Sequence, residues 1–222
     1  MGKEAFTIVD KFEQCLCDYT GAPYAIALDN CSNAIFLALV YSDIKDTVIT
    51  IPSHTYPSVP CEIIHAGGIV EFQESSKFLE GPYRLKPTSV IDSSLRFTYG
   101  MYENGRIMCL SFTGPYKHLK LGKGGAILTD DAWACNWFKR ARFSGRREMS
   151  YHDDYLDMLG WNFYMLPEIA ARGCHLIRQF YDTKDMPIHN KDLRIEYPDL
   201  SQFPVYKNHH SIWNYNLEGE SL

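Results

Sequence analysis

Helix-like and strand-like hydrophobic patterns alternate along the first 130 residues, and no other feature limits the fold of this chain as strongly. Residues 6–19 read as a helix with Ile8, Val9, Phe12 and Leu16 near one face. Residues 24–28, YAIAL, form a short apolar strand. Residues 33–41 put Ile35, Ala38 and Leu39 on a second helical face, and the β-branched run 47–51, TVITI, is strand-like. A helix is expected over 57–65, with Pro57 and Pro60 near its start. Buried strands follow at 69–72, 90–91, 108–112 and 126–128. A long helix over 166–181 spaces Ile169, Ala170, Gly173, Leu176, Ile177 and Phe180 for burial. This alternation predicts an α/β fold, a mostly parallel sheet sandwiched by helices. Past Tyr181 the periodicity fades into a stretch with Pro187, Pro198 and Pro204. The expected organisation is one domain over 1–181 and a short irregular C-terminal segment, 182–222, wrapped on its surface.

Composition narrows the class. A chain of 222 residues with 45 % hydrophobic and 22 % charged residues can bury a full core, which excludes disorder as a description of the whole. A net charge of −5 disfavours a dedicated nucleic-acid binder. The one basic run, Lys139, Arg140, Arg142, Arg146 and Arg147, is either a solvated helix end or a contact for an anion. The longest apolar run, 34–41, is too short to span a bilayer, and the N-terminus has no signal-peptide core. Seven irregularly spaced cysteines read as free thiols in a reducing compartment, hence a cytoplasmic protein. Neither Cys15 and Cys17 nor His209 and His210 have zinc-type spacing, so no metal site is expected. Gly-x-Ser-x-Gly is absent.

Four strand ends carry the residues with chemistry. After Leu28 a polar turn, DNCSN, leads into a helix near Ser32 or Asn33; its start is either a plain N-cap or an anion site. Tyr56, past the second strand, either stacks on a flat ligand or packs. Asp92 follows the apolar strand Val90-Ile91, where open α/β sheets bind their ligands, or else simply forms a turn. Ser111-Phe112 ends another strand, and a Gly/Pro loop then brings Lys117 ahead of Gly122-Lys123-Gly124-Gly125. A lysine on such a loop is either an ordinary surface cation or, once desolvated, an amine able to form a Schiff base. Taken together they put a helix N-terminus, an aromatic, an acid and a lysine at successive strand ends, a set that matches what pyridoxal phosphate needs: a phosphate cradle, a ring stack, a partner for the ring nitrogen and a Schiff-base lysine.

The order of these motifs resembles the DegT/DnrJ/EryC1/StrS sugar aminotransferases, pyridoxal-phosphate enzymes of aminotransferase fold type I. FEQCLCDYTGAPYAIALDNCSNAIFLAL is similar to the family's opening helix, strand and Ser-Gly-Thr-like turn; DTVITIPSHTY, VIDSS, SF…K…GKGGAILTDD and GWNFYMLPEIAA are similar to its later motifs. The likeness runs from about Phe12 to Tyr181. It implies the large domain of that fold, with the small C-terminal domain largely missing. It implies that Lys117 holds the cofactor and shuttles a proton, and that Asp92 keeps the pyridine nitrogen protonated. Tyr56 would stack on the ring, and Cys31, Ser32, Asn33 and Ser111 would cradle the phosphate. Asn162 would reach the phosphate of a neighbouring subunit, so the site belongs to a homodimer. The implied reaction moves an amino group from an amino acid, glutamate, to a keto sugar carried on a nucleotide. Two alternatives stay open: a sugar dehydratase using the same cofactor, and a degenerate remnant of the family.

The sequence departs from the family pattern in five places. Lys117 lies six residues after Ser111 where the family has five; the forward count falls on Tyr116, which cannot form a Schiff base, so a one-residue insertion is read. His118 is adjacent, and a histidine in the lysine slot marks related dehydratases. Leu95 replaces a Gln or His near the ring oxygen, with Arg96 as its possible stand-in. Lys123 replaces a Glu, and Tyr164 replaces an Arg. The block between Tyr56 and Asp92 is shorter than in the family.

Overall fold

The structure, a computed structural model, describes residues 4–182 and 191–207. In chain order it contains α1 (Glu4–Thr20), β1 (Tyr24–Leu28), α2 (Cys31–Tyr41), β2 (Val48–Pro52), α3 (Ser58–His65), β3 (Ile69–Gln73), β4 (Phe78–Glu80), β5 (Tyr83–Arg84), β6 (Val90–Asp92), β7 (Ile107–Ser111), β8 (Gly125–Thr129), α4 (Ala132–Ala141), α5 (Pro167–Asp182) and β9 (Arg194–Glu196). The periodicity located α1 to α3, α5 and strands β1 to β3 and β6 to β8 to within a few residues.

Strands β1, β8, β7, β6 and β5 form one sheet in that order, and β2 pairs with β3. Thr50 of β2 exchanges backbone hydrogen bonds of 2.9 and 3.2 Å with Lys86, just past β5, which carries the β2–β3 pair alongside the main sheet. The helices lie on both faces, as an α/β sandwich requires. The expectation of a mostly parallel sheet needs correction at the level of pairing. Only β2–β3 and β6–β7 are parallel; β1–β8, β7–β8, β5–β6 and β4–β9 are antiparallel. The cause is local: β5 to β6 and β7 to β8 are joined by loops without a crossover helix, and a parallel partner needs a crossover. Strand direction is nevertheless largely shared. The pairings make β1, β7, β6, β2 and β3 run one way and β8 and β5 the other. The C-terminal ends of β1, β2, β6 and β7 therefore open on one edge of the sheet.

The period of two along each strand divides the core. Ala25 and Ala27 of β1, Met108 and Leu110 of β7, and Ala126 and Leu128 of β8 pack toward α1 and α5. Ile26 and Leu28, Ile107 and Cys109, and Ile127 pack toward α2, α3 and α4. Helices α1 and α5 meet closely at Gly173, where a Cβ would stand 2.3 Å from the Phe12 ring. Helix α4 was not expected; its signal is Asp131, whose carboxylate accepts from the Trp133 and Ala134 amides at 2.7 and 3.3 Å as an N-cap.

The basic run does lie at a helix end, with Lys139 and Arg140 in the last turn of α4, but its cations are partnered internally. The Arg142 guanidinium is fully buried and donates to Glu13, to the Ala27 carbonyl (2.6 Å) and to Glu148 (2.8 Å). Lys139 pairs with Asp10 and Glu13, Arg140 with Asp157, and Arg146 and Arg147 with Asp154. This network clamps α1, β1 and the segment after α4. Phe163 then returns an amide to the Arg142 carbonyl and accepts from the Asp29 amide, which fixes the turn between β1 and α2.

Residues 191–207 lie against the β2–β4 edge. β9 pairs with β4, the Leu200 amide donates to the Ser53 carbonyl (2.8 Å), and the Tyr206 ring meets Phe72 at 5.9 Å. His209 and His210 lie outside the described residues. No helix among the described residues is long and apolar enough to cross a membrane.

Candidate functional site

A cavity of ≈ 180 Å³ opens where β1, β2, β6 and β7 end. It is lined among others by Cys31, Ser32, Tyr56, Asp92, Ser111 and Lys117. Six of the eight residues expected at the site thus meet in one place, although they are spread over 87 positions from Cys31 to Lys117.

Helix α2 supplies one wall. Asn30 is its N-cap, and its side-chain oxygen accepts from the Asn33 amide at 2.8 Å. The Cys31 and Ser32 amides have no partner within the helix and sit at the positive end of its dipole. The Ser32 and Ser58 hydroxyls share a 2.6 Å hydrogen bond, which brings the start of α3 to the same wall. Strand β8 approaches this turn so closely that a Cβ on Gly125 would stand 2.4 Å from the Asn30 carbonyl carbon. Only glycine fits there, which gives the GKGG motif a steric role beside any other.

Asp92 and Lys117 form the floor. Asp92 is only 2 % exposed, and its Oδ1 accepts from the Ser94 amide at 2.8 Å. Lys117 is 5 % exposed; its Nζ donates to the Ser94 carbonyl and lies 5.2 Å from the centre of the Tyr116 ring. Burial lowers the Lys117 pKa from its usual 10.5, against the opposing pull of Cys31 and Asp92. The amine therefore has a larger neutral, nucleophilic fraction than a surface lysine. Burial, reinforced by the Asp92 charge and opposed by Lys117, pushes the Cys31 thiol well up, so it stays protonated. Tyr56, 53 % exposed, stands at the mouth.

Two expected residues lie elsewhere. Asn33 is turned away: Asn30 takes its amide and Asp29 accepts from its side chain at 2.7 Å, so it braces the turn. Asn162 is exposed and bridges to the backbone of Phe143. At the lysine loop, Lys117 lines the cavity, whereas the His118 ring reaches the Lys191 carbonyl (3.0 Å) outside that lining. The Arg96 guanidinium, read as a possible stand-in at Leu95, is held by Asp192 through two hydrogen bonds of 2.7–2.8 Å. Tyr164 lies under the Arg142 guanidinium at 4.8 Å.

Sequence reasoning missed Ser58, Ser94, Thr113 and Tyr197 in the lining. Ser58 had a signal, since it follows Tyr56-Pro57. Tyr197 had none: it reaches the mouth only because β9 docks on β4 and its amide donates to the Lys77 carbonyl (3.0 Å). Its ring meets Tyr56 edge-on at 6.3 Å, so the two tyrosines flank the entrance.

Known proteins resemble this chain in sequence and in fold. The model of the DegT/DnrJ/EryC1/StrS aminotransferase family matches residues 4–77, the part holding the α2 turn and Tyr56. The chain is 20 % identical to a UDP-4-amino-4,6-dideoxy-N-acetyl-beta-L-altrosamine transaminase of Campylobacter jejuni subsp. jejuni, over 91 % of this chain and 63 % of that protein. Among solved structures it matches Helicobacter pylori PseC, an aminotransferase involved in the biosynthesis of pseudoaminic acid. That match has a TM-score of 0.66 and 12 % identity, over 90 % of this chain and 79 % of the other. Bacillus subtilis NtdA, solved with its cofactor PMP, matches with a TM-score of 0.61 and 17 % identity, over 77 % of this chain and 48 % of the other. The fold is that of the type I PLP aminotransferases, and the chain spans less than two thirds of the length of the curated relatives it matches (63 % and 56 %).

Proposed function

We propose that this chain, which resembles the DegT/DnrJ/EryC1/StrS aminotransferases, binds pyridoxal 5′-phosphate in the Lys117 cavity and transfers an amino group from glutamate to a nucleotide-linked keto sugar. The observation that carries the reading is the meeting of a desolvated lysine, a buried acid and an open helix N-terminus in one cavity at the strand ends. This donor set fits the cofactor. When bound, pyridoxal phosphate supplies a carbonyl carbon that accepts the amino group and a ring that acts as an electron sink. Lys117 holds it covalently through Nζ and, once released, moves the proton. Asp92 accepts from the ring nitrogen. The Cys31 and Ser32 amides and the Ser32 and Ser111 hydroxyls take the phosphate, and Tyr56 covers the ring. The cavity, ≈ 180 Å³, is below the roughly 300–1,000 Å³ usual for larger ligands, so a nucleotide sugar extends past Tyr56 and Tyr197.

We assign residues 1–181 to the cofactor-binding domain and 182–222 to a C-terminal segment. The functional unit in this reading is a homodimer, with Asn162 reaching the partner's phosphate. Exposed Tyr155 (76 %), Leu159 (91 %) and Leu166 (65 %) near Asn162 support an interface there. The seven cysteines, all unbridged, support a cytoplasmic location.

The test is a two-stage reaction on the cofactor-loaded protein. Glutamate is expected to bleach the visible band and release 2-oxoglutarate, and a keto-sugar nucleotide then to restore the band as amino sugar forms. Turnover of the sugar without a donor would replace transfer by dehydration, and no exchange with any amino donor would overturn the reading. The entrance gives a second expectation. Tyr197→Ala removes one aromatic flank and is expected to weaken cofactor retention by about 1 kcal/mol, roughly fivefold in the dissociation constant by equilibrium dialysis. An unchanged constant would place Tyr197 outside the site.

A further inference from the structure

Two helices begin at the wall of the cavity. Ser58 is the first residue of α3 and Ser32 lies in the first turn of α2. Both line the cavity, and their hydroxyls share the 2.6 Å hydrogen bond. Two hydroxyls carry two protons, and the shared bond uses one. The other proton has no acceptor among the described residues. The backbone beside it is also open. Pro57 stands at the N-cap of α3, and no side chain caps that helix. The Val59 amide turns back to the Tyr56 carbonyl at 3.0 Å, and Pro60 has no amide to offer. The Ser58 amide is therefore the first-turn donor of α3 left without a partner in the helix. Ser58 thus combines a hydroxyl on the cavity wall with an open amide, the same two donors that Ser32 brings from α2.

We propose that Ser58 is a further ligand of the cofactor phosphate, donating its hydroxyl from the start of α3 so that the group is held between the first turns of two helices. The inference rests on the pyridoxal-phosphate reading given above. The 2.6 Å spacing sets the Ser32 and Ser58 hydroxyls side by side, close enough to meet one anion together. A phosphate dianion only accepts, and a hydrogen bond to it is about twice as strong as one between two neutral hydroxyls. Each serine therefore gains by turning its proton from its neighbour to the phosphate. The positive ends of α2 and α3 favour the same negative charge.

The test titrates full-length protein with pyridoxal phosphate and, separately, with pyridoxal, which has the same ring and aldehyde and no phosphate. The visible band reports binding of each. Ser58→Ala is expected to raise the dissociation constant for pyridoxal phosphate about tenfold and to leave that for pyridoxal unchanged. A merely structural role for Ser58, in shaping the wall or seating α3, would weaken both ligands alike, and that result overturns the inference. An unchanged constant for pyridoxal phosphate overturns it as well. The same substitution made on Ser32→Ala separates a direct ligand from a residue that only orients Ser32. A ligand causes a further loss in that background, and no further loss overturns the inference. Ser58→Cys, close in shape and a weaker donor, carries the same comparisons should Ser58→Ala fold poorly. These failures leave the wild-type band in place and so spare the functional reading. Absence of a band in the wild type overturns that reading and this inference with it.

Discussion

Lys117→Met is expected to lower amino-group transfer by at least about 10³-fold and to abolish the visible band of the cofactor-loaded protein. The substitution keeps the side chain's bulk close to that of lysine and removes the amine, so lost activity reports chemistry and not a collapsed cavity. Stability is expected to move the other way. Burial holds the folded-state pKa of Lys117 below its usual 10.5, so the unfolded chain binds the extra proton more readily. Wild-type stability therefore carries a penalty below the folded pKa, and that penalty fades as pH rises toward 10.5. Lys117→Met should unfold later than wild type at neutral pH in a denaturant titration, with the gap narrowing at alkaline pH. A gap that widens with pH would mean that burial does not dominate at this lysine.

Arg142→Leu is expected to be the most destabilising single change, at about 3–5 kcal/mol. It leaves Glu13, 4 % exposed, and Glu148 facing a buried apolar side chain, and it strips a donor from the Ala27 carbonyl. The cost reflects the carboxylates left behind more than the worth of the ion pair. Adding Glu13→Gln to Arg142→Leu should therefore recover part of the loss. The glutamine side chain is neutral, and its amide oxygen still offers an acceptor to the Ala27 amide that Glu13 now satisfies at 2.9 Å. Chemical denaturation of the two single variants and the double variant closes the cycle, and strict additivity would show that the pair is not coupled. The effect should reach the site, because the Arg142 segment holds Phe163 and Phe163 holds the turn before α2.

The fold was legible where burial alone sets the pattern. Strands β1, β7 and β8 are apolar on both faces because helices cover both, and such runs stand out in any chain. Their pairing was not legible, since an apolar run carries no record of its neighbour's direction. The β7–β8 reversal depends on a loop whose Gly/Pro content reads equally well as a catalytic turn. β4, β5 and β9 are two or three residues long, too short for a period to register. The site followed the same division. Asp92, Ser111, Tyr56 and the α2 turn each follow a readable strand, and they line one cavity. Asn33 lies outside the cavity lining; a residue of the capping turn and a phosphate ligand have the same local signature, and the Asp29 contact is not written in it. Tyr197 reaches the cavity through contacts between segments distant in sequence, which no local pattern encodes.

Borohydride reduction of the cofactor-loaded protein, followed by peptide mass mapping, tests most directly whether Lys117 holds the cofactor in this cavity, because reduction makes the covalent link permanent. A phosphopyridoxyl label is expected on the peptide containing Lys117, and its loss is expected in Lys117→Met. A label confined to another lysine, or none under conditions that label a known aminotransferase, would contradict that role.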